Sequence, residues 1–120
     1  MRIVPQLMFQ GGMEQALALW RRAFPDIEVR PGNPAEVTIR GQRLRLFDSP
    51  PVHDFDFTPS FSLLVECGDQ DEVRHLAGVL GDGGQVLMPL GAYEFSPCYV
   101  WLVDAVGVSW QIMLPPDDPA

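Results

Sequence analysis

The chain has 120 residues, 47% apolar and 20% charged, with a formal net charge of −8. That size and mix describe one globular domain with a modest core and no apolar run long enough to span a bilayer. The negative field repels phosphate backbones and anionic headgroups, so neither nucleic acid nor membrane is an expected partner. All eight basic residues are arginine, which excludes a lysine Schiff base, a lysine-anchored pyridoxal and a P-loop.

The start, Met1-Arg2-Ile3-Val4-Pro5, has no secretory-leader pattern because Gln6 and Gln10 interrupt the apolar stretch; a cytoplasmic location is expected. Ile3 to Phe9 reads as an apolar strand, broken by Gln10-Gly11-Gly12. Met13, Ala16, Leu17, Trp20 and Phe24 then recur at helical spacing, and Pro25 stops the helix. Trp20 continues the apolar stripe and reads as core. Ile27-Glu28-Val29 is a short strand and Pro31-Gly32-Asn33-Pro34 a turn. Val37–Arg40 and Arg43–Phe47 alternate across Gly41-Gln42, which predicts a hairpin. Arg43 and Arg45 point the same way from their strand; a solvated edge face is the first reading and anion binding the alternative.

Asp48 to Pro59 is a proline-bearing linker. Phe61, Leu63 and Val65 alternate with Ser60, Ser62 and Leu64 as a strand with two unlike faces. Asp69-Gln70-Asp71-Glu72 has the spacing of a capping box, with Asp69 at the N-cap, and Val73, Leu76, Ala77 and Leu80 form the stripe of the helix it opens. Gly81-Asp82-Gly83-Gly84 ends that helix. Three strands follow: Gln85 to Met88, Tyr99 to Val103, and Val108 to Leu114, the last two joined by the turn Asp104-Ala105-Val106-Gly107. Tyr93 falls in a loop before Cys98, as a lid or a surface residue. Pro115 to Pro119 reads as a loose tail. Cys67 and Cys98 belong to no CxxC or Cys/His cluster and read as free thiols in a reducing compartment.

The chain says nearly the same thing twice. Phe9 and Val65, Leu17 and Val73, Trp20 and Leu76, and Phe24 and Leu80 are related by one constant offset, close to half the length. Such a period marks a duplicated supersecondary unit. Each half reads strand, helix, three strands: module one over about 1–48, a linker over 49–59 and module two over about 60–114. The expected class is α+β, two βαβββ modules forming a curved mixed or antiparallel sheet, with helices on the convex face and a hollow on the other.

The residues Leu7-Met8-Phe9, Glu14-Gln15-Ala16 with Trp20 and Phe24-Pro25, Gly41-Gln42, and Leu87-Met88-Pro89 add a second signal. Most specific are Trp101-Leu102-Val103-Asp104 and Gly107-Val108-Ser109-Trp110-Gln111-Ile112. Together they resemble the vicinal-oxygen-chelate superfamily (glyoxalase, bleomycin resistance, dioxygenase), and within it the PhnB-like group. The resemblance covers essentially the whole chain. Members of the group are often labelled ubiquinone-pathway methyltransferases, but the chain has no GxGxG loop of the kind that holds S-adenosylmethionine.

Metal-using members of the superfamily carry His, Gln or Glu on the first and last strands of each half. The resemblance puts Gln6 (or Val4, one residue out of register) on the first strand and Phe47 or Asp48 at the end of the first half. It puts Ser60 or Ser62 at the opening of the second half, and Gln111 where metal-using relatives have Glu. Such a set is poor for a divalent cation, so no metal, no cofactor and no catalytic residue is assigned. His53, in His53-Asp54-Phe55-Asp56, reads as part of a solvated connection, with a metal ligand as the alternative; His75 reads as a surface imidazole. Trp110, alternating with Gln111, is expected to face the helices as core, whereas Tyr99 and Trp101 share a face that lines the hollow or closes a dimer seam. The expected function is small-molecule binding, or a vestigial enzyme, with Gln6, Met8, Phe47, Ser62 and Gln111 lining the pocket. The resemblance also implies a homodimer. The alternative is a metal-dependent lyase, isomerase or dioxygenase acting on a small oxygenated metabolite, using Asp48 or His53.

Overall fold

A computed structural model describes residues 1–116. Of the tail Pro115–Pro119, residues 117–119 lie outside the described residues. Two compact units divide the chain, Met1–Asp56 and Phe57–Ala120.

The first unit runs β1 (Gln6–Phe9), α1 (Met13–Ala23), β2 (Glu28–Arg30), β3 (Ala35–Ile39) and β4 (Gln42–Asp48). Its four-stranded sheet has the order β1-β4-β3-β2. β1 lies parallel to β4 and the other pairs are antiparallel. The β3–β4 hairpin turns on Arg40 and Gly41, both at positive φ (50° and 82°). Two left-handed residues in a two-residue loop make the turn whose twist matches the flanking strands. Leu7, Phe9, Val37, Leu44 and Leu46 are buried on one face, which α1 covers with Ala16, Leu17, Trp20 and Ala23. Trp20 is fully buried and its ring meets Phe9 edge-on, centroids 6.2 Å apart. α1 stops at Ala23, where Pro25 was expected to stop it, and the Phe24 N–H closes the last turn on the Trp20 carbonyl. β1 is shorter than the expected Ile3–Phe9. The carbonyl of Pro5 accepts from Arg45 N, and the residues before it extend into solvent, Ile3 being largely exposed.

The second unit repeats the plan: β5 (Leu63–Glu66), α2 (Gln70–Gly81), β6 (Gln85–Tyr93), β7 (Ser96–Val103) and β8 (Ser109–Leu114). Its sheet order, β5-β8-β7-β6, matches the first sheet position for position, and β5 is parallel to β8. Two modules of the same strand-helix-three-strand order and the same sheet order give the α+β class expected from the repeat. Val73, Leu76 and Leu80 of α2 are buried with Val100, Leu102, Trp110 and Ile112 of the sheet. Gly84, between α2 and β6, has no room for a side chain, since a Cβ there would run into the Val103 carbonyl and lie 3.1 Å from Asp104 Cα. Among the described residues no buried side-chain nitrogen or oxygen lacks a hydrogen-bond partner. No helix among them is long and apolar enough to cross a membrane.

The capping signal of α2 is realised. Asp69 Oδ1 accepts from the Glu72 N–H at 2.8 Å, and Glu72 Oε1 accepts from Gly68 N at 3.3 Å, one residue before the usual return partner. An Asp69→Ala variant is expected to lose about 1 kcal/mol of stability and Asp69→Ser much less. Equilibrium urea unfolding of the two variants against the parent checks this; equal midpoints for all three would contradict it.

Three boundaries differ from expectation. β6 runs on to Tyr93, past Pro89 and Gly91, because it is an edge strand with register shifts at three places; an edge tolerates a missing N–H and bulges absorb the irregularity. Tyr93 therefore ends a strand and is not a loop residue. β7 likewise starts earlier, at Ser96. β5 starts later than the Ser60–Val65 alternation suggests. Thr58 Oγ1 bonds both Ser60 N (3.1 Å) and Ser60 Oγ (2.6 Å), and Phe61 N bonds the Thr58 carbonyl (3.3 Å), so this segment is a hydroxyl-stabilised turn.

Candidate functional site

In the second unit, the sheet face away from α2 carries a connected polar cluster. Strand register sets Trp101 opposite Gln111 and Val103 opposite Ser109, with Leu64 on the other flank of Gln111. Ser62, two residues before Leu64, shares that face. Tyr99 OH donates to Gln111 Oε1 at 2.7 Å, and Gln111 Nε2 donates to Ser62 Oγ at 3.2 Å. Ser62 Oγ and Ser109 Oγ are 2.7 Å apart, and Trp101 Nε1 donates to Ser109 Oγ at 2.9 Å. Tyr99 is almost fully buried. That burial, followed by the neighbouring Tyr93, pushes its phenol pKa above the ordinary value of 10.0, so the hydroxyl stays a donor at neutral pH. The rings of Phe95 and Tyr93 stand edge-on to Tyr99, at 4.7 and 5.4 Å, and Tyr93 OH is tied to the Pro89 carbonyl at 2.7 Å.

Proton counting gives this cluster a direction. Gln111 and Trp101 both donate into the serine pair, and one serine hydroxyl hydrogen bridges the pair. With Ser109 as the donor within the pair, the Ser62 hydrogen has the Pro59 carbonyl as its acceptor, 3.4 Å from Ser62 Oγ, a long and weak bond. The cluster therefore ends in a Ser62 hydroxyl ready to donate elsewhere, beside the second, unassigned N–H of Gln111.

In the first unit, the face away from α1 sets Met8 opposite Phe47 and Gln6 opposite Arg45. Met8 and Phe47 are half-buried and Gln6 and Arg45 exposed. Asp48 holds the turn before α1: its Oδ1 accepts from Gly11 N at 2.7 Å. The Asp48 backbone is clamped on both sides by the Asn33 amide, at 2.8 and 2.9 Å. His53 is tied into its own loop. Its N–H donates to Gln10 Oε1 (3.0 Å), its Nε2 lies 3.1 Å from Ser49 Oγ, and its ring stacks on Phe55 at 4.9 Å. His75 is exposed.

These residues do not make a divalent-cation site. Gln111 and Ser62 are neutral and engaged with each other, while one Asp48 oxygen holds a backbone amide. Among the described residues no group of three or more His, Cys, Asp and Glu stands close enough to hold a metal ion. The chemistry of this donor set suits hydrogen bonding to a neutral ligand and not charge neutralisation of a cation.

Two features of the second unit go beyond the sequence reading. The turn Asp104–Gly107 was legible, but the role of Asp104 was not. Its carboxylate is 3% exposed and accepts from Val106 N (3.1 Å), Val108 N (3.0 Å) and Trp110 Nε1 (2.8 Å). An aspartate two residues before a backbone N–H is the local signal for the first of these bonds; nothing local signals the last. Ser109 stands in the family-like motif but has no site role in the sequence analysis, although its alternation with Gln111 puts it on the same face. Trp110 is core, as expected, at 2% exposure. Cys67 and Cys98 are buried and free, on either side of β8. Two strand spacings, roughly 9.5 Å, separate such positions, too far for a disulfide. Burial, followed by the charge of Glu72, pushes the Cys67 thiol up to about 12, so it remains a protonated, unreactive packing group.

The family model for 3-demethylubiquinone-9 3-methyltransferase matches residues 1–113. Among solved structures, the chain is similar to a PhnB protein from Bacillus cereus, with 35% identity over 95% of this chain and 99% of that one and a TM-score of 0.86. It is also similar to PA1353 from Pseudomonas aeruginosa, with 22% identity over 98% and 99% of the two chains and a TM-score of 0.82. The fosfomycin resistance protein FosX of Listeria monocytogenes has the same fold at 8% identity, covering 97% and 91%, with a TM-score of 0.70. No curated protein matches the chain. The repeated βαβββ plan, the match over nearly the full length and the 35% identity lead to one conclusion: the chain belongs to the PhnB-like family described as 3-demethylubiquinone-9 3-methyltransferase.

Proposed function

We propose that this protein binds a small uncharged molecule bearing an acceptor oxygen, such as a ketone, ether or amide carbonyl, on the open sheet face of its second module. The observation that carries this reading is the direction of the Tyr99–Gln111–Ser62–Ser109–Trp101 cluster. It is internally satisfied and neutral, and the hydrogen that Ser62 Oγ donates out of it is held by only a 3.4 Å bond. A ligand oxygen replacing that weak bond gains more than it displaces. Trp101, half-buried beside the cluster, and the exposed Leu64 supply apolar contact.

The family's description names a methyl transfer, and the residues here do not fit S-adenosylmethionine. The one strand–glycine–helix junction of the first module is Gln10-Gly11-Gly12, and the Gly11 N–H, which a cofactor anion would need, is already bonded to the Asp48 carboxylate. That carboxylate would also repel the cofactor's own carboxylate. The reading therefore includes no methyl-transfer step.

A homodimer and a cytoplasmic location belong to the same proposal. Val86 and Leu90 on edge strand β6 and Phe95 at its hairpin tip are exposed apolar side chains, which support pairing with a second copy. Two free thiols support a reducing compartment.

Acetophenone and ethylbenzene test the proposal, since they differ in one acceptor oxygen. Acetophenone is expected to quench tryptophan fluorescence saturably and to bind roughly tenfold more weakly to a Ser62→Ala variant. Equal quenching by ethylbenzene, or no loss on removing the Ser62 hydroxyl, would overturn it.

A further inference from the structure

The open face of the first module has a different chemistry from that of the second. Three of the chain's eight basic residues, Arg30, Arg43 and Arg45, stand on it. Cross-strand register puts Gln6, Arg45, Glu36 and Arg30 in one row and Arg43, Thr38 and Glu28 in the next. The Glu36 carboxylate is shared, 3.5 Å from Arg30 Nη1 and 3.5 Å from Arg43 Nη2. Among the described residues no ion pair or side-chain hydrogen bond engages the Arg45 guanidinium. Counting Glu28 and Glu36 against the three arginines leaves this face one net positive charge, in a chain whose formal net charge is −8. Beside Arg45 lie the donor Gln6 and the half-buried pair Met8 and Phe47.

We infer that this face binds an amphipathic monocarboxylate. Arg45 takes the carboxylate in its planar fork, and the Gln6 amide adds a further donor. The apolar body lies over Met8 and Phe47. A single uncompensated guanidinium matches a single negative charge; a dianion would meet Glu36 without a second free cation. The site uses none of the residues of the second module, so it stands or falls apart from the neutral-ligand proposal above.

The test is a titration of the ¹⁵N-labelled full chain with benzoate, benzamide and inorganic phosphate at low salt. Benzoate is expected to shift the amides of residues 6–8 and 43–47 saturably. Benzamide, of the same shape without the charge, leaves them in place, and phosphate binds more weakly than benzoate. Arg45→Gln, at an exposed position that folding does not need, is expected to weaken benzoate at least tenfold. Arg74→Gln on α2 leaves benzoate binding unchanged, as does Gln111→Leu. Benzoate affinity unaltered by Arg45→Gln, shifts confined to residues 62 and 99–111, or phosphate binding more tightly than benzoate would each overturn the inference. Loss of acetophenone binding with benzoate binding retained would sink only the neutral-ligand proposal.

Discussion

An Asp104→Ala variant is expected to lose about 3–5 kcal/mol of stability, a large part of what a chain this size has. The carboxylate is 3% exposed and accepts three N–H groups, two from the turn backbone and one from the Trp110 indole. Removing it leaves those donors facing a space without an acceptor. Hydrogen bonds to a charged group contribute more than neutral ones, and a buried donor left unmatched carries its full desolvation penalty. The turn joins β7 to β8, so the loss propagates to the strand that carries Gln111. Asp104→Asn keeps one acceptor oxygen and is expected to lose less, about 1–3 kcal/mol; the remaining loss arises because its amide NH2 donates and cannot accept in place of the second oxygen. Combining Asp104→Asn with Trp110→Phe removes both ends of the indole bond, and the loss should be less than the sum of the two single variants. Urea unfolding followed by circular dichroism measures the four variants against the parent. An alanine variant within 1 kcal/mol of the parent would show that the turn holds without its carboxylate.

Trp20→Ala is expected to cost about 3–5 kcal/mol as well, by a different route. Trp20 is fully buried and packs edge-on against Phe9, under the helix that covers the first sheet. Truncation removes the largest buried side chain of that module and leaves a cavity lined by α1 and β1, which rigid neighbours fill only in part. Trp20→Phe retains most of the volume and the aromatic contact and is expected to lose less than half as much. As a control, Trp101→Ala on the half-buried open face of the other module should be milder still, since water replaces much of what is removed. Unfolding midpoints in that order support the assignment of core and open face. A Trp101 variant less stable than the Trp20 variant would reverse it.

The two variants also mark different depths of legibility. Trp20 was assigned to the core from spacing alone, because a helix repeats its face every 3.6 residues and the stripe Met13, Ala16, Leu17, Trp20 follows that period. Asp104 is legible as a turn residue and as part of the family-like motif, without a bonding role. Its bond to Val106 is local, but its bond to Trp110 depends on how β8 leaves the turn. The candidate ligand residues divide in the same way. Alternation predicted that Ser62 and Leu64 share a face, and the resemblance pointed to Gln111. That Gln111 Nε2 reaches Ser62, and that Ser109 joins them, depends on β5 lying parallel to β8 in one register. A slip of one residue would turn Gln111 toward the helix. Pro89 and Gly91 misdirected the reading of β6, because breakers count against a strand only when both its edges are paired.

From its amino-acid order alone this protein is readable as two copies of a strand-helix-three-strand unit, with one helix capped by Asp69, the other ended at Pro25, and a hairpin across Gly41-Gln42, one residue beyond the Arg40-Gly41 turn of the structure. Those features arise from interactions within a few residues, where period, cap chemistry and φ preference act directly. The sheet order with its parallel first and last strands, the Asp104–Trp110 bond, the polar cluster around Gln111, and the row of Gln6, Arg45 and Glu36 emerged only in three dimensions. Each depends on which strands pair and in what register, and these are set by the sum of side-chain burial over a whole module, which no short stretch of chain contains.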